Sequence, residues 1–213
     1  TEILETTMLK KFLPSLLAAV FGGYGIQASA GTGTLLSGTV TVDDAFELYL
    51  STDDSVAGDL LASASDWTVP VSFSAALVPG QTYYLHVKGW DVWGSISAFL
   101  GQFALSKPEF VFENGTQALV TDTTHWRASV AGFGTGYFPP YSYGKNGVGP
   151  WGSFASISTD AEWIWSPREA TGAPSLGTVY FSTRIDPVPE PETYALFLAG
   201  LGLLGVAARR RSI

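Results

Sequence analysis

The sequence predicts an all-β protein, an antiparallel jelly-roll-like β-sandwich over residues 31–186 that lies between two apolar terminal segments. Between those segments, no stretch repeats apolar residues with the 3.6-residue period of a long helix. Many short runs rich in Val, Ile, Tyr, Phe and Trp are instead separated by Gly, Pro, Asp and Ser, which is typical of strands and turns. Apolar residues make up 46% of the 213 residues, so one such domain can form a core.

Ten runs have the length and composition of strands. Within residues 46–50 and 83–87 alternate side chains can point to one buried face. Residues 132–152 hold seven Gly, three Pro and four Tyr or Trp without periodicity, and predict a long surface loop. The predicted strands are 35–42, 45–51, 68–74, 82–89, 95–105, 109–112, 117–120, 126–130, 162–166 and 178–184.

The charge of the central region excludes several classes of function. Residues 31–187 contain six Lys or Arg and fifteen Asp or Glu, a difference of −9. A net negative domain repels phosphate backbones and anionic membrane surfaces, which argues against nucleic acid as a partner. Because there is no cysteine, disulfides, thiolate metal sites and thiol catalysis are excluded.

The N-terminal residues 1–30 have the organisation of a secretory signal peptide, with residues 1–7 as an upstream extension before Met8. The mature chain is expected to begin near Gly31. A buried amphipathic helix is the alternative interpretation, but the apolar residues lack helical periodicity. The signal consists of the cations Lys10 and Lys11, the apolar residues 12–21 and the small cleavage-site residues Ala28 and Ala30.

The C-terminal residues 187–213 combine a proline-rich segment, an uncharged apolar run and three arginines. The prolines favour an extended, accessible backbone. Residues 194–208 predict a short transmembrane helix, and Arg209, Arg210 and Arg211 are expected to stay on the cytoplasmic side. An ordinary membrane anchor after a proline linker is the alternative interpretation.

Val188, Pro189, Glu190 and Pro191, followed by the apolar helix and the arginines, resemble the PEP-CTERM sorting domain of Gram-negative bacteria. The resemblance implies that an exosortase recognises Pro189-Glu190-Pro191. It also implies export with the help of signal peptidase, anchoring in the inner membrane before processing, and a final location at the cell surface or outside the cell. Proteins of this kind occur in species that make exopolysaccharide and live in biofilm.

A second, weaker resemblance covers the middle of the chain. Short motifs occur in an order similar to that of galactose-binding-like jelly-roll modules, which accompany bacterial glycosidases. This resemblance implies the fold, and no binding residue is transferred from it. The motifs are residues 42–50, Trp67, 77–87, 99–103, 121–127 and 161–166.

Several aromatic residues are candidates for stacking on sugar rings. Trp90 and Trp93 follow a predicted strand, and burial within a loop or hairpin is the alternative for both. Trp163 and Trp165 are two residues apart and are expected to share one face of a sheet, as core residues. Within the Gly-rich stretch the candidates are Tyr137, Tyr141, Tyr143 and Trp151, and burial is again the alternative for Trp151.

Two acidic pairs, Asp43-Asp44 and Asp53-Asp54, are weak candidates for calcium ligands, and turn or cap roles are the alternative. No zinc-binding histidine spacing and no Gly-x-Ser-x-Gly motif is present, so no catalytic residue is assigned. The sequence thus favours a non-enzymatic surface or matrix protein that associates with extracellular polysaccharide. A small glycan-active hydrolase and a self-associating surface subunit are the alternatives.

Overall fold

The structure, a computed structural model, describes residues 33–92, 94, 96–166, 177–189 and 196–201. The chain divides into the units Thr1–Gly31 and Thr32–Ile213, and every described residue belongs to the second. The predicted signal peptide, including Ala28 and Ala30, therefore lies outside the described residues, as do Trp93, Glu190, Pro191 and the three C-terminal arginines.

The described residues form two six-stranded antiparallel sheets, which confirms the predicted all-β sandwich. Sheet A has the order β10-β11-β6-β1-β4, with β8 also paired to β6, and sheet B has the order β3-β2-β5-β12-β7, with β9 also paired to β12. The strands are β1 (Leu35–Asp43), β2 (Ala45–Ser51), β3 (Asp59–Ala64), β4 (Val71–Ala76), β5 (Tyr83–Trp90), β6 (Ala98–Leu105), β7 (Phe110–Phe112), β8 (Ala118–Val120), β9 (Arg127–Ser129), β10 (Tyr141–Lys145), β11 (Glu162–Trp165) and β12 (Thr178–Pro187).

All ten predicted strands are present, with ends that differ by a few residues, and two further strands were not predicted. One is β3, which pairs with β2 at the edge of sheet B. The other is β10, which lies inside the predicted loop 132–152 and pairs with β11 across an irregularity between Ser142 and Gly144. The prediction of one continuous loop over those residues was wrong, because this edge pairing accommodates a glycine that a periodicity search treats as a break.

The main core lies between the two sheets and is rich in aromatic side chains. Phe99 of sheet A contacts Phe181 of sheet B with ring centroids 5.2 Å apart, and it meets the ring of Trp126 edge-on at 5.1 Å. Each such large side chain contributes about 1.5–3 kcal/mol when it leaves water. In the absence of disulfides these inter-sheet contacts hold the sandwich together.

A second apolar cluster covers part of the outer face of sheet A. It consists of Ala98, Leu100 and Trp163 beneath Trp151, Ile157 and Ala161 of the segment that follows β10. Trp165, by contrast, belongs to the main core. Both indoles are fully buried as expected, but the prediction that they share one face was wrong, since β11 carries Trp163 outward and Trp165 ends the strand against Phe181.

The C-terminal tail is described over residues 196–201, which are helical. The side chains of Leu196, Phe197 and Leu198 are 65–75% exposed. Within the described part of the chain no helix is long and apolar enough to cross a membrane. Since most of the predicted span 194–208 lies outside that part, the transmembrane helix stays a prediction.

Candidate functional site

The sorting segment continues directly from the last strand of sheet B. In β12, Ile185, Asp186 and Pro187 pair with β7, so Pro187 belongs to the sheet rather than to a free proline linker. Val188 is held by a hydrogen bond from its backbone N–H to the carbonyl oxygen of Glu109, 2.8 Å away. The tripeptide predicted for recognition therefore starts one residue beyond the last described bond to the sandwich.

The chain enters and leaves the sandwich at the same end. The hydroxyl of Thr34, just before β1, donates to Glu109 Oε2 at 2.8 Å, and the Thr34 carbonyl accepts from the N–H of Leu77. Glu109 therefore binds both the entering and the leaving strand. We call Thr34, Leu35, Val78, Glu109 and Val188 the entry–exit end. Three of its side chains are apolar and exposed: Leu35 by 49%, Val78 by 61% and Val188 by 40%.

An open groove with a cavity volume of about 550 Å³ crosses the outer face of sheet A. Its size lies within the range that small ligands occupy in proteins. The Thr39 and Ser72 hydroxyls lie 3.0 Å apart across β1 and β4. No charged side chain lines the groove; the outward-facing residues are Ser37 and Thr39 of β1, Ser72 of β4, Gln102 and Ala104 of β6, Ala118 and Val120 of β8, and Ser158 at the rim.

Gln102 holds the wall of this groove in place. Its Nε2 donates to the carbonyl of Ser156 at 2.9 Å, and its Oε1 accepts from the N–H of Ser158 at 2.8 Å. The two bonds fix Ser156 and Ser158, which flank Ile157 of the second apolar cluster, against β6. The groove therefore has a preformed edge, and its polar groups point from rigid strands.

The aromatic candidates differ in how far they are buried and in what they contact. Trp151 is 5% exposed, stacks on Trp163 with ring centroids 4.7 Å apart and donates its indole N–H to Asp43, which favours the alternative interpretation of burial within the loop. Tyr141 is 45% exposed at the edge of sheet A. Trp90 is half-buried under the Lys88 ammonium, 5.1 Å from its ring. Trp90 and Tyr141 stay predictions, and no described contact brings them together.

Asp43 is the last residue of β1, and Asp44 lies between β1 and β2. Asp44 Oδ2 accepts from the N–H of Val92 at 2.7 Å. Burial raises the pKa of Asp43 to about 7, assisted by the hydrogen bond and the charge of Asp44 and opposed by the Trp151 indole N–H. The carboxyl group of Asp43, only 8% exposed at the end of β1, therefore keeps its proton to a higher pH than a solvent-exposed aspartate does.

Asp54 lies at the centre of a polar cluster on the outer face of sheet B. Its Oδ1 accepts from the hydroxyls of Ser182 at 2.8 Å and Tyr137 at 2.9 Å, and lies 3.2 Å from His86 Nε2. Burial would raise the pKa of Asp54, but these three bonds, with Arg127 nearby, hold it below its usual value. Asp54 is thus a structural acceptor.

His86 is fully buried although it points outward from sheet B. The ring of Phe133 stacks on it almost in parallel, with centroids 4.1 Å apart. Burial lowers the pKa of His86, and the bonds to Asp54 and to the Ala57 carbonyl offset this only in part. Both ring nitrogens face acceptors, Nε2 the Asp54 carboxylate at 3.2 Å and Nδ1 the Ala57 carbonyl at 3.3 Å.

The acidic pairs show no arrangement of metal ligands. Asp53 Oδ1 accepts from the N–H and hydroxyl of Ser55, the turn role that was the alternative interpretation. Among the described residues no group of three or more His, Cys, Asp or Glu side chains is placed to hold a metal ion. The calcium interpretation of Asp43, Asp44, Asp53 and Asp54 finds no support there.

The described residues thus define an antiparallel β-sandwich whose last strand leads straight into a proline-containing tail. Residues 187–211 match the family model of the PEP-CTERM protein-sorting motif. The chain carries that motif, as its last residues predicted, and the motif implies export and processing by an exosortase. Comparison with curated proteins and with solved structures returns no match. The resemblance to galactose-binding-like modules therefore has no support from the comparisons.

The groove residues are not among the candidates that the sequence predicts, which are mainly aromatic and acidic residues. A signal was present, because Ser37, Thr39 and Gln102 occupy alternate positions of predicted strands opposite to apolar ones. What the sequence did not show is that β4, β1, β6 and β8 lie side by side. Small polar side chains mark a groove only when neighbouring strands place them together.

Proposed function

We propose that the mature domain is a non-catalytic module of the cell surface or matrix that binds an extended, uncharged polysaccharide in the groove on sheet A. One observation carries this proposal. The groove is lined by no charged side chain, although residues 31–187 have a net charge of −9 from six Lys or Arg and fifteen Asp or Glu. A charged ligand would be recognised by opposite charges. Hydroxyl and amide groups beside small apolar side chains suit the alternating polar and apolar faces of a neutral sugar chain.

The lining also argues for binding rather than hydrolysis. Glycoside hydrolysis uses two carboxyl groups that flank the scissile bond, and the residues that line the groove contain no Asp, Glu or His. The groove lies on the face of a sheet instead of in a closed cavity, so a polymer can cross it without a free end. Such a module suits a protein exported by a sorting signal to a polysaccharide-rich surface.

The test is affinity electrophoresis and calorimetry of the chain from residue 31 onward, with neutral glucans and galactans compared with polyuronates. Ala104→Glu introduces a charge at an exposed position on the groove floor. We expect this variant to weaken binding at least about tenfold, which corresponds to about 1.4 kcal/mol. Ser63→Glu, at an exposed position of β3 in sheet B, is the matched control and is expected to bind normally.

Three results would overturn the proposal. Equal binding by Ala104→Glu and the parent chain would place the ligand elsewhere, and loss of binding in Trp90→Ala or Tyr141→Ala alone would identify where. Shortening of the polymer during binding would favour the hydrolase. Concentration-dependent light scattering without any glycan binding would favour the self-associating subunit.

A further inference from the structure

The sorting signal of this protein has no spacer between it and the folded domain. Pro187 is the last residue of β12, and Val188 is still bonded to the Glu109 carbonyl. Consecutive Cα atoms are about 3.8 Å apart. A protein that binds Pro189-Glu190-Pro191 therefore has two routes. It either approaches the sandwich surface to within the length of one or two residues, or it pulls the end of β12 out of its sheet.

The second route is opposed by the contacts of β12. The strand lies inside sheet B, pairs with β5 from Thr178 to Ile185, and pairs at its end with Phe110 to Phe112 of β7. Ile185 is fully buried in the main core. Pulling the strand end away would break backbone hydrogen bonds and expose apolar surface, so approach to the intact sandwich has the lower cost.

The surface reached by that approach is the entry–exit end. Glu109 ties its parts together through Thr34 and Val188, and Leu35 is held nearby by a hydrogen bond from its N–H to Ser106 Oγ at 2.8 Å. Val78 is fixed by its N–H, which donates to the Tyr83 hydroxyl at 2.9 Å. The exposed side chains of Leu35, Val78 and Val188 are thus presented by ordered backbone around the point where the signal emerges.

We propose that the entry–exit end is a docking surface for the exosortase, which contacts Leu35 and Val78 on the folded sandwich in addition to the tripeptide. Singly exposed apolar side chains are common on protein surfaces. What distinguishes this set is that Val188 directly precedes the signal, and that hydrogen bonds through Glu109 and Thr34 join it to the segments that carry Leu35 and Val78. Binding to this surface brings the exosortase next to the tripeptide, which begins one residue after the last described bond to the sandwich.

The decisive measurement is site-specific photocrosslinking of the full chain in membranes that contain an epitope-tagged exosortase. A photoreactive residue replaces Val78 or Leu35 in turn. Val69 is the matched control, because its exposure of 60% is close to the 61% of Val78 and it lies just before β4, away from the end where β12 leaves the sandwich. We expect adducts with the exosortase from positions 78 and 35 and none from position 69.

A kinetic measurement tests whether the contact matters. Val78→Asp is expected to slow processing of the tail several-fold, while Val69→Asp leaves the rate unchanged. An insertion of about twelve Gly and Ser residues between Val188 and Pro189 separates the signal from the surface. With the insertion present, Val78→Asp is expected to have no further effect, because the enzyme already works without the docking surface.

Other outcomes would overturn the proposal. Adducts with lipid alone from position 78 would mean that this end rests on the bilayer instead. Equal rates for Val78→Asp and Val69→Asp, or equal crosslinking from both positions, would mean that the enzyme reads the tail only. None of these results bears on the groove, which is tested by glycan binding to the chain from residue 31 onward.

Discussion

At the scale of single residues, the carboxyl groups of Asp53 and Asp54 act as hydrogen-bond acceptors in two different ways. Asp53 and Asp54 are adjacent in sequence, yet Asp53 serves only its local turn while Asp54 gathers donors from three distant segments. Sequence reasoning treated them as one pair, because the register that brings Ser182 and His86 together is a property of the sheet.

We expect Asp54→Ala to lower the free energy of unfolding by about 3 kcal/mol, since Ser182, Tyr137 and His86 lose their shared acceptor. Urea denaturation measures the change. Asp53→Ala is the neighbouring control and is expected to have a much smaller effect. Equal losses in the two variants would mean that the cluster around Asp54 does not stabilise the fold.

The raised pKa of Asp43 predicts that the protein loses stability as the pH rises towards neutral. Its pKa is about 7 in the folded protein, against a usual value of 3.8. The folded state then binds more protons than the unfolded state between these values, so stability that is present below about pH 4 is lost as the pH rises to about 7. Asp54 acts outside this window, because its pKa is lowered and its contribution is lost only in more acidic solution.

Denaturation at a series of pH values checks this expectation. The parent chain is expected to lose stability between about pH 4 and pH 7, and Asp43→Asn to have a flatter profile, since the amide oxygen still accepts the Trp151 N–H but cannot titrate. Parallel profiles for the two proteins would show that Asp43 is ionised throughout the range.

At the scale of elements, the segment after β10 has a different role from the one that its composition indicated. Glycines, prolines and aromatic residues favoured a surface loop with ligand-binding rings. In the structure the aromatic residues turn inward, and Trp151, Ile157 and Ala161 cover the outer face of sheet A. Composition alone does not distinguish the two, because the same residue types make a binding loop or a covering loop according to the surface beneath them.

Trp151→Ala is therefore expected to lower the free energy of unfolding by about 4 kcal/mol, because it empties a packed site against Trp163 and removes a hydrogen bond to Asp43. Near-ultraviolet circular dichroism should report loss of the indole pair. Tyr141→Ala, at an exposed edge position, is the control and is expected to change stability by less than about 1 kcal/mol. A Trp151→Ala protein of unchanged stability would return the residue to the ligand candidates.

The sequence predicts strands where apolar residues alternate clearly. It does not predict strands that become extended only because they pair with a neighbouring strand. The run 46–50 alternates clearly and forms the body of β2. The edge strand Asp59–Ala64 is made of small and helix-favouring residues, and extends because β2 offers it a free edge. Tyr141–Lys145 extends beside β11 for the same reason.

At the scale of the whole molecule, the sequence predicted the class and the sorting signal more fully than the site. The signal is a contiguous string of residues that keeps its meaning without a fold, and the family match to residues 187–211 confirms it. The groove depends on four strands that are far apart in the chain and adjacent in sheet A. Only the fold could bring its residues together.

The position of Glu109 between Thr34 and Val188 has a consequence for the use of this domain as a carrier. Thr34 and Val188, where the chain enters and leaves the sandwich, therefore lie at one pole of it. The turn between β1 and β2, at Asp44, and the end of β5, at Trp90, lie at the opposite pole. An epitope fused ahead of Thr34 would lie at the end of the sandwich that carries the sorting signal, whereas one inserted at Asp44 would lie at the opposite end.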